Sequence, residues 1–298
     1  MSFRILKDKV AGGAMFFLTV AALLLVVVMG VGLFLKSAPI FEERSLVDLL
    51  LSSNWKPLRG EFGFLPFLTG TLWVTALAIT LSFPVALLTA IFLTEYSDAK
   101  VKKYVFPALD ILAGIPSVIY GVWGVILIVP WISEKLAVHF VAFSTGYTVL
   151  AGGIVLGVMI LPLLTSLFIE LFSSVPMQLR EASMSLGATK WQTIKKVVLR
   201  KTLPGIFAAG ILAISRAFGE TIAVLMVCGN LPQIPRSLFD AAYPLPALIA
   251  NNYGEMLSLP LYEAALMFAA LILFVVILMF NLVSRAVLYR IEKKFFEV

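Results

Sequence analysis

The chain has 298 residues, of which 61% are hydrophobic and only 13% charged, with a mean hydropathy of +1.02. A soluble domain carries charge on about a quarter of its residues, so this balance excludes one, and length is better counted in membrane spans. The formal charge of +6 does not point to nucleic acid, because the basic residues sit beside apolar runs as they do at membrane surfaces, and the single cysteine, Cys228, excludes an intrachain disulfide or a thiolate metal cluster.

A bilayer crossing needs about 20 apolar residues, and a backbone without water must bond to itself, so long apolar runs read as helices. Six spans are predicted, over 12–35, 67–94, 107–132, 148–172, 202–231 and 263–285. The first follows Arg4, Lys7 and Lys9 but is too long for a cleaved signal segment, so a retained helix is expected. Segments 36–66 and 232–262 are the longest outer connections and are rich in aromatic residues and proline. They fit an aromatic belt with tight turns, or a docking surface for an external partner. Pro116, beside Ser117 and Tyr120, implies either a kink or backbone groups freed to line a pathway. Gly153 and Gly157 have the spacing of close helix packing, and the lone His139 falls in a loop.

Lys and Arg counts set orientation. One side carries Arg4, Lys7, Lys9, Lys100, Lys102, Lys103, Arg180, Lys190, Lys195, Lys196, Arg200, Lys201, Arg285, Arg290, Lys293 and Lys294, which is 16. The other carries Lys36, Arg44, Lys56, Arg59, Lys135 and Arg236, which is 6. Both termini are therefore expected in the cytoplasm.

The inner connection at 176–201 is unlike the others. Pro176 suits the start of a helix, Ser173 and Ser174 stand upstream as caps, and Gly187 supplies left-handed geometry to end it. Trp191, Ile194 and Val198 then recur at helical spacing among lysines that reach toward headgroups. The pattern reads as a short helix, a glycine turn and a second helix climbing back, either a plain interfacial hairpin or a docking element.

The run 202–231 holds Arg216 and Glu220, four residues apart and on one face of an uninterrupted helix. An unpaired charge at mid-bilayer costs roughly 3 kcal/mol on insertion scales, so both should face protein or water. Either they neutralise each other and pin the helix, or Arg216 offers its guanidinium fork to a permeating anion while Glu220 holds it. Ser215 and Thr221 flank the pair as candidate hydroxyl donors. No G-x-x-x-x-G-K-[ST] phosphate loop exists in the chain, and no connection is long enough for a catalytic domain.

Glu181-Ala182-Ser183, three residues, then Gly187 resembles the EAA motif of binding-protein-dependent ABC importer permeases. Val197 and Leu199 fit its continuation, while Arg200 stands where that family has proline. The stretches 63–68, 113–121 and above all 216–230 resemble the PstC-type permeases of phosphate importers. The resemblance implies an all-α membrane protein with six transmembrane helices and the type I importer permease fold, in the plasma (inner) membrane of a bacterium or archaeon. It implies a transport subunit rather than an enzyme, with no cofactor of its own and ATP bound by a partner. Glu181, Ala182, Ser183 and Gly187 would couple to a cytoplasmic PstB-like ATPase dimer. A homologous PstA-like permease would complete the pathway, and an external PstS-like binding protein would deliver phosphate. Other oxyanions, such as sulfate, molybdate or phosphonate, and a self-contained anion channel or carrier remain as alternatives.

Overall fold

The computed structural model describes residues 2–254 and 260–296, with side chains described for 7–254, 260–287 and 289. Arg4, Arg290, Lys293 and Lys294 of the charge count lie outside the described side chains. Residues 255–259 of the second outer segment lie outside the described residues.

Six helical runs are long and apolar enough to cross a membrane. In chain order the elements are α1 (Ser2–Glu43), α2 (Leu46–Leu51), a hairpin of β1 (Trp55–Lys56) and β2 (Glu61–Phe62), α3 (Leu65–Tyr96) and α4 (Ala99–Gly114). Next come α5 (Ser117–His139), α6 (Val149–Ser173), α7 (Met177–Ser185) and α8 (Lys190–Phe218). The chain closes with α9 (Ile222–Val227), α10 (Leu245–Asn252) and α11 (Pro260–Phe296). Helix α1, α3, α5, α6, α8 and α11 are the spanning ones.

The core is the pairing of α3 with α6, the most extensive contact in the structure, with α8 laid across both. Small residues make that approach possible. A Cβ on Gly153 would stand 2.4 Å from Leu77 Cδ2, and one on Gly152 would stand 2.4 Å from the Sγ of the fully buried Cys228. Helix α11 packs on α8, and among the described residues the extensive contact of α1 with a spanning helix is the one with α11. Along its most apolar window α1 buries nothing, against half of the residues for α6. A helix apolar on every side and unburied must meet lipid or another subunit.

Two predicted spans change shape. The run at 107–132 is interrupted: α4 stops at Gly114, Ile115 turns extended (ψ 127°), and α5 begins after Pro116. Proline has no N–H to continue the ladder and pushes its predecessor out of the helical region. Tyr120 repairs the break, its hydroxyl donating to Leu112 O at 2.8 Å, and the ring is buried. Pro116 therefore separates two helices rather than bending one. The run at 202–231 begins earlier, at Lys190, and ends earlier, at Phe218, for reasons given below.

Trp55, Phe62, Phe64 and Tyr243 of the outer segments pack into one aromatic cluster, while Tyr253 stays exposed. Trp55 meets Phe62, Phe64 and Phe67 edge-on at centroid distances of 5.7, 5.4 and 4.8 Å. Phe67 continues to Tyr243 and Phe64 to Phe268, both at 5.3 Å. Burial pushes the Tyr243 phenol up, only partly offset by hydrogen bonds from Asn251 and Asn252. The cluster fastens the β1–β2 hairpin to α3, α11 and the 229–245 loop. At its far end the hairpin exposes Leu58.

If glycine sets the α3–α6 distance, Gly153→Leu should lower stability by about 1–3 kcal/mol, the usual cost of overpacking. Thermal unfolding in detergent would measure it, and an unchanged melting temperature would contradict the assignment.

Candidate functional site

Two places combine unusual local structure with charge. The first is the hairpin of α7 and α8. Pro176 precedes α7 as its N-terminal boundary residue rather than occupying the first turn. Ser173 and Ser174 do not cap it: Ser173 ends α6, and Ser174 Oγ donates to Leu171 O at 2.7 Å, closing that helix instead.

The far end of α7 follows from one glycine. Gly187 has φ +84°, its N–H reaches Met184 O at 2.9 Å, and Ala188 N reaches Ser183 O at 3.3 Å. This paired arrangement is the Schellman ending, which needs a left-handed residue at the turn. Thr189 then starts α8 with a capping box: its hydroxyl accepts from Gln192 N at 3.3 Å, while Gln192 Oε1 accepts from Thr189 N at 2.9 Å. The Thr-x-x-Gln spacing at 189–192 is legible in the sequence, and it explains why α8 begins so early.

Arg180 locks the hairpin to the body. Its guanidinium grips Glu95 at the end of α3, with Nη2 at 2.8 Å from Oε1 and Nε at 3.3 Å from Oε2. It also donates to Phe172 O at 2.8 Å and to Val175 O. The two side chains are only 12% and 9% exposed. In the sequence Arg180 is one of the basic residues of an inner connection, and Glu95 lies near the end of a span. They stand 85 positions apart, and no local pattern announces the pair.

The predicted coupling residues divide into two groups. Glu181 and Ala182 are exposed on the outer face of α7, as is Gly187 at its end. Ser183 turns inward, its Oγ 2.9 Å from Thr193 Oγ1, and so joins α7 to α8. Ile194 and Val198 bury the apolar side of α8, whereas Trp191 stays half-exposed.

The second place is the upper end of α8. Arg216 lies in its last turn, where a cation complements the helix dipole. It is exposed and makes no ion pair or hydrogen bond among the described residues. The expected pairing with Glu220 is not formed, because the helix does not continue between them. Gly219 resists helix formation, and the side chains that follow bond to nearby backbone instead. Glu220 Oε1 accepts from Ala223 N at 3.3 Å, and Thr221 Oγ1 donates to Gly219 O at 3.2 Å. Ser215 points the other way, buried and without a partner for its Oγ. Arg216 and Glu220 thus flank a helix break, and neither flanking hydroxyl is turned to Arg216.

Below Arg216 runs a groove of about 420 Å³ between α6 and α8. Gly205, Ala208 and Leu212 line it from α8, and Leu167, Glu170 and Leu171 from α6. Positions 205, 208, 212 and 216 form one helical row, so Arg216 continues the α8 wall of this groove upward. Among the described residues no cluster of three or more metal-ligating side chains occurs.

Residues 82–296 match the family model described as "Binding-protein-dependent transport system inner membrane component". A probable ABC transporter permease protein, YqgH of Bacillus subtilis, is 42% identical over 213 residues, which is 71% of this chain and 67% of that one. The phosphate transport system permease protein PstC of Mesorhizobium japonicum is 34% identical over 83% of this chain and 80% of its own. The probable PstC of Methanocaldococcus jannaschii is 32% identical over 81% of each. Among solved structures, a bacterial alginate ABC transporter crystallised with its periplasmic protein matches with TM-score 0.57 at 18% identity, covering 77% of this chain and 80% of that one. The MetNI methionine ABC transporter matches with TM-score 0.53 at 21% identity over 73% and 93%. The fold is that of type I ABC importer permeases.

Removing one partner of a buried ion pair strands the other, so Glu95→Ala should destabilise the protein by about 3 kcal/mol. Glu95→Leu combined with Arg180→Met should lose clearly less. Denaturant unfolding of the three proteins would decide, and a loss below about 1 kcal/mol for Glu95→Ala would mean the pair is solvated like a surface one.

Proposed function

We infer the function from one premise: this chain belongs to the family of binding-protein-dependent transport system inner membrane components, and is a multi-pass inner-membrane permease. We propose that it is one of two permease subunits of an ATP-driven importer of inorganic phosphate. The observation that carries the cargo is the alignment with PstC permeases of bacteria and an archaeon over about four fifths of both lengths. A self-contained channel or carrier does not fit this family.

In this reading the residues act as follows. Arg216 presents its guanidinium fork to the anion at the head of the α6–α8 groove. A planar fork suits a tetrahedral oxyanion, and its charge offsets the anion's loss of water. Glu220, accepting from Ala223 N beyond the helix break, leaves the guanidinium unpaired for the anion. The groove covers only one side of a pathway, and a homologous PstA-like permease supplies the other.

Orientation follows from the 16-to-6 bias of basic residues, which puts both termini and the α7–α8 hairpin in the cytoplasm. There the exposed Glu181 and Ala182 meet a PstB-like ATPase dimer. Ser183, Gly187 and Arg180 hold the shape that is presented. Outside, a PstS-like binding protein delivers phosphate. The chain moves an ion and changes no bond, and ATP hydrolysis belongs to the partner.

Arg216→Gln should lower phosphate uptake by the reconstituted complex at least about tenfold, since a charge-assisted hydrogen bond contributes roughly 1.5–3 kcal/mol. Subunit assembly and binding-protein-stimulated ATP hydrolysis would be followed in parallel. Normal uptake by a normally assembled complex would remove Arg216 from the pathway.

A further inference from the structure

A cavity of about 680 Å³ lies behind the coupling hairpin, enclosed by α7, the end of α3, the first half of α4 and the start of α8. Helix α7 turns two different faces. Met177, Arg180 and Met184, spaced as one helical face, line the cavity. Gln178, Glu181, Ala182 and Ser185 are exposed. The side of α7 that lines the cavity thus differs from the side that carries Glu181 and Ala182, although Met177 and Met184 are themselves partly open to solvent.

Its charge is unbalanced. The lining holds Lys102, Arg180 and Lys190 against Glu95, three cations and one carboxylate, for a net +2. The ion pair of Arg180 with Glu95 leaves the two ammonium groups as the excess. Both are gathered at the end of α3: Lys102 Nζ donates to Thr94 O at 3.3 Å, and Lys190 Nζ sits 4.7 Å from the centroid of the Tyr96 ring. An ammonium has three protons, so these contacts leave donors on each for an anion. Phe106 adds an apolar wall beside Met177 and Met184. Helix α4 itself exposes Lys100 and Lys103 together with Tyr104 and Ile111, the amphipathic character of a helix at the headgroup level.

We propose that this cavity binds a phosphate-bearing anion between Lys102 and Lys190, the source being an anionic phospholipid headgroup or free inorganic phosphate. Two point-charge ammonium groups suit phosphoryl oxygens, and the apolar wall suits the glycerol end of a lipid. An anion held there ties α4 to the start of α8 and restrains the hairpin from behind. That consequence for transport rests on the coupling role proposed above; the binding does not.

The test uses the complete transporter complex, with Lys102→Gln/Lys190→Gln beside the wild type. Complexes released from vesicles of phosphatidylcholine plus phosphatidylglycerol are weighed by native mass spectrometry for retained phosphatidylglycerol. Lipid-stripped complexes are assayed by equilibrium dialysis with radiolabelled inorganic phosphate. A fall in phosphatidylglycerol retention of at least about tenfold in the double variant identifies a lipid site, as loss of two charge-assisted contacts requires. Loss of one phosphate site per chain, with lipid retention unchanged, identifies a free-phosphate site. Retention of both ligands by the variant at wild-type levels overturns the proposal. Lys102→Gln alone, on a helix outside the core, serves if the double variant does not assemble, and should give the same loss in weaker form. If binding falls while ATP hydrolysis by the reconstituted complex stays unchanged, the site stands and its restraint on the hairpin does not.

Discussion

Every backbone N–H and C=O inside a bilayer has to find its partner within the protein, because no water is there to supply one. That requirement governs where this chain can depart from a helix. It does so inside apolar sequence at Ile115–Pro116 and at Gly219–Thr221, and each time a side chain completes the bonding. Tyr120 serves Leu112 O at the first break. At the second, Glu220 serves Ala223 N and Thr221 serves Gly219 O, and beyond α9 the Asn230 amide serves Leu225 O at 2.7 Å. The second break has a further consequence. By ending α8 at Phe218, it puts Arg216 in a last helical turn and turns Glu220 to its own backbone. A continuous helix would have let the two charges neutralise each other.

The inner hairpin obeys the opposite condition. Outside the membrane, water can satisfy the backbone, so nothing forces α7 and the first turns of α8 into one shape. Local chemistry fixes it instead. A left-handed glycine and a capping box set the turn between the two helices, and the Ser183–Thr193 contact closes it. The Arg180–Glu95 pair then sets the hairpin's position against the body. With both side chains nearly buried, the pair depends on its geometry, and the fork of Arg180 meets both carboxylate oxygens as well as two backbone carbonyls. The exposed face of α7 is thus carried on a rigid mount.

Much of this was legible from residues alone, for identifiable reasons. Apolar length marks six spans because hydrocarbon thickness is a strong constraint, and Gly187 reads as a helix end because few residues tolerate its φ. Long-range partners were not legible. Arg180 and Glu95 are separated by 85 positions, and the ring contacts of Trp55, with Phe62, Phe67 and Tyr262, draw on three segments of chain. A sequence shows that such residues are present without showing which of them meet. The break after Phe218 lay between these cases. Gly219 and Thr221 signal it, but they sit in a run apolar enough to suggest a continuous helix, and the Arg-x-x-x-Glu spacing strengthened that suggestion.

One helix joins the two candidate sites. Helix α8 runs without a break from the capping box at Thr189 to Phe218, so Lys190 and Arg216 are about 39 Å apart along its axis at 1.5 Å per residue. Its first turns are bonded to α7 through Thr193, its middle packs against α3 and α6, and its last turn carries Arg216. A displacement of the hairpin would therefore reach the arginine along one helix, whose regularity is interrupted by a widened turn at Ile194–Val198 and by Pro204. A widened turn and an internal proline each interrupt the regular i→i−4 ladder locally. The break at Gly219 sets the other end of the lever, since beyond it α9 packs against α5 and α6. Arg216 and Glu220 thus stand on either side of a helix break, whereas a continuous helix would have held the two charges at fixed separation.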